Sequence, residues 1–507
     1  MRLAELAAAL TGARPNGPLE GTASGICVDS RKVRPGDVFV AVRGVRVDGH
    51  RFLPEALARG AIAVVVQDGA AVPAGAAAVV VPDTRIALAE LSACWFGRPA
   101  ERIPIVGITG TLGKTSVLSI LSEILARAGI EAGTIGSLGI RFRESSRPTR
   151  LTTPDSWDLH AALAEMVAGG ARLVAMEVTS HALVQHRVHG LTFCLGAFTN
   201  LALLEHQDYH GSFRRYVEDK MHYLDHLQDG APLVYASGDR LLHALLRGRR
   251  GITPIGCGPG GTVSVRAERR TPAAGQSRVT ITVRRELPRI DGGVVAPVAF
   301  PLDVPLLGRP NVGNAALAAT IALCAGAEVD HVQAAVASMP PPRRRMQIVH
   351  RGRFTVLDDT VGHPDSITAV FEVAARLPHR RLHVVYAVRG RRGVEINRRD
   401  AEAIAISLRR APAATVVVTS SENTADAANR VQPEEKDVVL YELRRRHPHT
   451  EFRPQLEDAV WLALDRAERG DLVLLLGAQG MDAGAAAVAR WLEANEGESA
   501  GRRRATH

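Results

Sequence analysis

The segment Gly107-Ile108-Thr109-Gly110-Thr111-Leu112-Gly113-Lys114-Thr115-Ser116 constrains this chain most. It follows the apolar run Ile103-Pro104-Ile105-Val106 and opens a helical stretch from Ser116 to Ala128. A glycine loop between a buried strand and a helix offers backbone N–H groups and a helix N-terminus to phosphate oxygens. In that setting Lys114 would neutralise the β- and γ-phosphates, and the Thr115 hydroxyl would take Mg²⁺. The spacing is Gly-x-x-Gly-x-x-Gly-Lys-Thr, with Ile108 where the first glycine of the strict Walker pattern would stand.

The lysine inventory points to the same loop. The chain keeps four lysines, at 32, 114, 220 and 436, against fifty-eight arginines. Such a bias leaves arginine wherever only positive charge is needed. A compact ammonium between phosphates is one place where arginine does not fit, and a lysine that must lose its proton and react is another. Lys114 and Lys220, both in motif contexts, are therefore the first candidates for chemistry. Lys32 and Lys436 read as chance survivors.

At 507 residues the chain is too long for one ordinary core, so several domains are expected. No run approaches the length and apolarity of a membrane span. The first ten residues read as an amphipathic helix rather than a signal peptide. Five scattered cysteines form neither a disulfide framework nor a metal-ligand spacing, which fits a reducing, cytoplasmic setting. The net charge of +9 is dispersed and aromatics are only 4%, so anionic small molecules are favoured over nucleic acid as partners.

Residues 1–98 alternate short strands (Val38–Val42, Ala63–Val66) with helices and read as a small α/β domain. Residues 99–338 form a second unit. It has strands at Leu173–Met176 and Cys194–Phe198 and an all-β insertion over 262–300. The run Pro340-Pro341-Pro342-Arg343-Arg344-Arg345 marks a linker. Beyond it, residues 339–496 alternate strands near 354–358, 382–388, 415–419 and 472–476 with helices, a parallel-sheet pattern. Residues 497–507 read as a disordered tail.

Two further clusters lie at strand ends: Glu177-Val178-Thr179-Ser180-His181, and Thr199-Asn200 followed by Glu205-His206-Gln207-Asp208-Tyr209-His210-Gly211. At the carboxyl edge of a parallel sheet both converge on the phosphate loop. Glu177 and His206 are then candidate ligands of a second Mg²⁺, although imidazole is an unusual partner for so hard an ion.

These segments together resemble the Mur ligases, and most of all the UDP-MurNAc-tripeptide synthetase (MurE) branch. The matching stretches are Val28 to Phe39, Asp48-Gly49, the glycine loop, Thr152-Thr153-Pro154-Asp155, Glu177 through Arg187, Asp208 to Gly211, Lys220, Gly308 to Asn314, and Arg345-Met346. The resemblance implies a three-domain α/β architecture. A central P-loop ATPase-like parallel sheet carries a β insertion, and a Rossmann-like domain lies at the C-terminus. It implies that ATP phosphorylates a substrate carboxylate and that an amino group displaces the phosphate. Gly110, Thr111, Gly113, Lys114, Thr115 and Ser116 would hold the triphosphate. Asn311 would contact adenine, and Arg345 and Asp359 would reach the nucleotide from beyond the linker by domain closure. Thr115, Glu177, His206 and a carbamylated Lys220 would hold Mg²⁺. Ser30 would contact the uridine part of the acceptor, and Thr152, Thr153, Thr179, Gln185 and Arg187 its carboxylate and sugar-peptide.

The sequence also departs from the family pattern. Leu112 replaces the usual asparagine, Glu205 replaces an aspartate, and one extra residue precedes His206. The family's Asp-Tyr-Ala-His-x-Pro becomes Asp359-Thr360-Val361-Gly362-His363-Pro364. The diaminopimelate-recognising Asp-Asn-Pro-Arg falls on Ser421-Glu422-Asn423-Thr424, so its arginine is absent. A later Gly-Lys-Gly-His-Glu falls near Gly477 to Asp482. Arg389, Arg391 and Arg392 offer either another anion site or a solvated loop. The expectation is an ATP-dependent ligase joining an amino acid other than diaminopimelate to UDP-MurNAc-L-Ala-D-Glu or a similar carboxylate. A paralogue recruited to a specialised pathway and a non-catalytic nucleotide-binding protein are the alternatives.

Overall fold

The computed structural model describes residues 1–44, 47–67, 72–73, 75–202, 210–271, 276–340, 343–427 and 429–504. His206, with Glu205, Asp208 and Tyr209, lies outside them. The chain divides into two compact units: residues 1–264, 282–298 and 316–335, and residues 265–281, 299–315 and 336 onward.

The first unit contains two large sheets, beside the small pair Leu287–Pro288 and Val294–Val295. The N-terminal one orders its strands Arg14–Asn16, Ala78–Val80, Ala63–Val66, Asp37–Val40, Gly25–Cys27, parallel except for the first. Ala63–Val66 is buried along its whole length, as a strand covered on both faces must be. The central sheet runs Thr253–Cys257, Pro232–Ala236, Leu195–Phe198, Ile105–Thr109, Leu173–Glu177, Ala132–Gly136, all parallel, and then turns antiparallel into Gly139–Phe142 and Ser145–Arg147. Trp157, on the helix Ser156–Ala168, packs beside Trp95 and Phe96, with centroids 6.0 and 4.7 Å away. Through these rings the N-terminal and central sheets share one unit.

Register decides where the site forms. Glu177 stands opposite Ile108 and Phe198 opposite Thr109. The carboxyl ends of three adjacent strands therefore open onto the glycine loop, which leads into the helix Lys114–Arg127. That helix buries Val117, Leu118, Ile120, Leu121, Ile124 and Leu125, a spacing that fixes its N-terminus above the sheet edge.

The second unit holds a sheet ordered Gln347–Arg351, Thr355–Asp359, Leu472–Leu476, Leu382–Ala387, Ala413–Thr419, Glu451–Arg453, with only the first strand antiparallel. The expected β insertion appears as Val263–Thr271, Gln276–Val283, Leu287–Pro288, Val294–Val295 and Val298–Val304. The final helix, Gly484–Arg504, runs past residue 496, where the sequence reading places the start of a tail.

Candidate active site

Glycine is required where the loop begins. Gly110 has φ +135°, and a Cβ there would meet Thr199 Oγ1 at 1.9 Å. Gly113, at φ +86°, caps the helix that Lys114 starts. Two residues from the neighbouring strand end clamp the loop between them. The Asn200 side chain accepts from Leu112 N at 2.9 Å and donates to Leu112 O at 3.0 Å. Thr199 Oγ1 donates to the same carbonyl at 2.5 Å. Leu112 therefore contributes only its backbone to the clamp, so the departure at this position leaves the loop geometry intact. Thr111 Oγ1 lies 2.7 Å from Tyr216 Oη and accepts from Ala202 N at 3.0 Å.

Glu177 is the centre of the polar cluster. It is fully buried, accepts from Thr115 Oγ1 at 3.1 and 3.0 Å, and accepts from Ser137 N at 2.8 Å. Burial pushes its carboxyl above the ordinary range, while Lys114, the Ser137 N–H and the Thr115 hydroxyl pull it back. Lys114 Nζ donates to Gly110 O and Thr111 O, each at 2.9 Å. Lys220 is 1% exposed; its Nζ donates to Gly110 O at 2.9 Å and lies 5.3 Å from the Tyr216 ring. Both motif lysines thus converge on one carbonyl of the phosphate loop. Ser116 is buried in the first turn of the same helix.

The helix carrying Lys220, Phe213–Met221, is held by a chain the sequence reading missed. Buried His210 places Nδ1 2.6 Å from Asp219 Oδ2 and Nε2 3.0 Å from Ser180 Oγ. Ser137 was also missed. Its signal is its place after Thr134-Ile135-Gly136 on the strand beside Glu177's own.

The expected acceptor residues gather beside this cluster. Thr153 Oγ1 donates to Glu177 O at 2.9 Å and accepts from Thr179 N at 3.1 Å. Thr152 Oγ1 is 3.0 Å from Ser137 Oγ. Arg187 donates to Thr153 O at 3.0 Å and to Gln185 Oε1 at 2.6 Å, and pairs with Asp155 at 3.1 Å. Arg85, which the sequence reading left out, reaches Gln185 Oε1 at 3.5 Å. Ser30 stands apart in the N-terminal sheet's loops, where its hydroxyl donates to Glu55 at 2.8 Å.

In the second unit, Asn311 Nδ2 donates to Leu307 O at 2.8 Å and Arg345 O at 3.4 Å. Asp359 accepts from Met346 N at 2.6 Å, and burial pushes its carboxyl up to about 7. His363 caps the helix Pro364–Ala374 by accepting from Asp365 N at 3.1 Å. Asn423 accepts from Leu456 N at 3.1 Å. The Arg389–Arg392 stretch is not a loosely solvated turn. Buried Glu435 accepts from the N–H groups of Arg391, Arg392 and Gly393 at 2.9, 2.8 and 2.7 Å, and the Arg389 guanidinium donates to Gly362 O.

A glycine loop, a buried carboxylate on its threonine and a buried lysine on the Gly110 carbonyl form a candidate nucleotide-handling centre. Three family models match the chain: the Mur ligase family catalytic domain over residues 22–95, the Mur ligase middle domain over 108–322, and the Mur ligase glutamate ligase domain over 344–479. The UDP-N-acetylmuramoyl-L-alanyl-D-glutamate–2,6-diaminopimelate ligase of Geobacter sulfurreducens is 32% identical over 502 residues, 94% of each chain. The chain belongs to the Mur ligase family. The same-named ligase of Geobacter metallireducens is 35% identical over 401 residues, covering 77% of this chain and 75% of the relative. Among solved structures, MurF from Acinetobacter baumannii superposes with a TM-score of 0.67 at 17% identity, covering 97% of this chain and 98% of its own. A structure of a UDP-N-acetylmuramoyl-L-alanyl-D-glutamate–2,6-diaminopimelate ligase gives 0.62 at 20% identity, covering 92% and 91%. These structures share the three-domain Mur ligase architecture with the chain. As a member of the family it is an ATP-dependent ligase.

Proposed function

We propose that this ligase joins the amino group of an amino acid to the carboxylate of UDP-MurNAc-L-Ala-D-Glu or a close relative, in the cytoplasm. ATP's γ-phosphoryl passes to the acceptor carboxylate, giving an acyl phosphate and ADP. The amine then adds to the acyl carbon, and phosphate leaves as the amine loses its proton. The carrying observation is the convergence of Lys114, Thr115, Glu177 and Lys220 on one loop at the carboxyl edge of the central sheet. Catalysis of this kind rests on positioning and on neutralising phosphate charge.

Lys114 and the loop amides hold the triphosphate. Thr153, Thr179, Gln185 and Arg187 orient the acceptor carboxylate towards it. The donor set fits Mg²⁺: the Glu177 carboxylate and Thr115 hydroxyl are hard oxygens, and a buried carboxylate pushed up by desolvation is one that a cation would stabilise. Thr115, Glu177 and His206 would hold the metal, which when bound neutralises charge on the transferring phosphoryl group. Lys220 joins that set as a carbamate. Its neutral amine adds to CO₂ and releases one proton, becoming an anionic oxygen ligand that arginine cannot supply. Asn311, Arg345 and Asp359 contact the nucleotide, and Ser30 meets the uridine.

The amine is an amino acid other than diaminopimelate. Thr424 stands where the family's arginine would grip a distal carboxylate. This also favours the second reading, a paralogue with a different acceptor. The test is phosphate release from ATP with UDP-MurNAc-L-Ala-D-Glu and single amino acids, with products read by mass. A mass gain for one amino acid identifies both substrates. No product with any of them, while ATP binds, refutes the acceptor and favours the paralogue.

A further inference from the structure

Arg344 has φ +55° and Met346 φ +52°, so two non-glycine residues in one three-residue stretch take a left-handed backbone. Such conformations persist where the surroundings over-determine them, and they gather at functional segments. The backbone here is held from several sides. Arg344 N donates to Gln347 Oε1 at 3.0 Å, Thr360 N donates to Arg344 O at 2.9 Å, and Met346 N donates to Asp359 at 2.6 Å. Arg345 O accepts from Asn311 at 3.4 Å. A Cβ on Gly308 would meet Met346 Sδ at 2.6 Å, so the segment is packed tightly against the start of the helix bearing Asn311.

The Arg344 side chain adds a different connection. Its Nε donates to Asp358 Oδ1 at 3.3 Å. Its terminal nitrogens donate to Gly477 O at 2.5 Å, to Ala478 O at 3.2 Å and to the Asp482 carboxylate. Asp358 is the next-to-last residue of the strand Thr355–Asp359, and Gly477 follows the adjacent parallel strand. One planar guanidinium thus bolts the strained stretch to the carboxyl ends of two neighbouring strands. A single ammonium cannot span that set with its point-like geometry. The Arg344 side chain is 13% exposed and Asp358 0%, so water competes little with that pair, whereas Asp482 is 66% exposed.

We infer that Arg344 is a positioning residue for nucleotide binding: it fixes the backbone of residues 344–346 so that Arg345 and Asn311 are preset for the nucleotide. The inference rests on the nucleotide roles proposed above for those two residues. Arg344 need not touch the ligand; it acts through its neighbours' backbone.

The test is calorimetric binding of ADP with Mg²⁺ to the full-length protein and three variants. Arg344→Gly keeps the left-handed backbone without steric cost and removes only the fork. Arg344→Gly/Asp358→Asn also removes the buried carboxylate that the first change strands. Arg344→Lys keeps the charge and loses the fork. The expected result is binding about ten-fold weaker in all three, with the double variant's melting temperature restored to within a few degrees of wild type. In turnover, KM for ATP rises while kcat stays within about three-fold. If the double variant regains wild-type affinity together with its melting temperature, or if Arg344→Lys binds as wild type does, Arg344 is structural only and the inference is overturned. Wild-type protein that binds no ADP would instead refute the nucleotide roles themselves, a failure distinct from equal binding by wild type and variant.

Discussion

Lys220 and Lys114 both donate to Gly110 O, yet their chemistry differs. Lys114 sits on the loop itself, where its proposed role is that of a point charge. Lys114→Ala is expected to lower ATP-dependent product by about a hundred-fold or more; unchanged turnover in a coupled phosphate assay would remove the loop from the mechanism. Lys220 comes from a helix more than a hundred residues away in sequence and is buried against Tyr216. Lys220→Ala should lose most turnover and regain part of it when a short carboxylate such as acetate is added. Full activity without rescue would refute the carbamate. The sequence made both lysines legible because the arginine bias left so few. It gave no sign of Arg344, which looks like one more arginine in a basic linker until its backbone angle and its four partners are seen together.

At the scale of elements, the phosphate loop is shaped by the strand end beside it. Asn200→Ala removes both side-chain bonds to Leu112; Thr199 still donates to Leu112 O, but the part-buried Leu112 N–H loses its side-chain partner, at a cost of about 1–3 kcal/mol. Chemical denaturation should show that loss, with weaker nucleotide binding alongside it. In the second unit, burial pushes Asp359 up to about 7 and Asp358 up to about 6, above an ordinary value of 3.8. The folded state therefore binds more protons than the unfolded one between roughly pH 4 and 7. The stabilisation this gives is full below pH 4 and lost as pH rises through about 6 to 7. Asp358→Asn should flatten the fall in melting temperature between pH 5 and 8; an unchanged slope would show that other groups set it. The strands Thr355–Asp359, Leu382–Ala387, Ala413–Thr419 and Leu472–Leu476 were legible from apolar runs, whereas the edge strands Gln347–Arg351 and Glu451–Arg453 were not. The His210–Asp219–Ser180 chain was not, because its members lie in three separate segments that only the packed helix Phe213–Met221 brings together.

For the whole molecule, the same fold serves ligases that add different amines, so the substrate is decided by sites and not by architecture. With purified protein, diaminopimelate is expected to give no ATP-dependent product at concentrations where another amino acid does; efficient ligation of diaminopimelate would return the third sheet's edge to the common family pattern. The sequence by itself determined the family and its three-domain α/β architecture, because strand–loop–helix punctuation and local motifs are written in consecutive residues. The tertiary structure alone decided how these parts act on one another. Parallel register set Glu177 beside Thr115. Close approach of two strand ends required glycine at 110. A buried Glu435 fastens the backbone of the stretch from Arg391 to Gly393. Each of these depends on distances between residues far apart in the chain, which hydrophobic periodicity cannot encode.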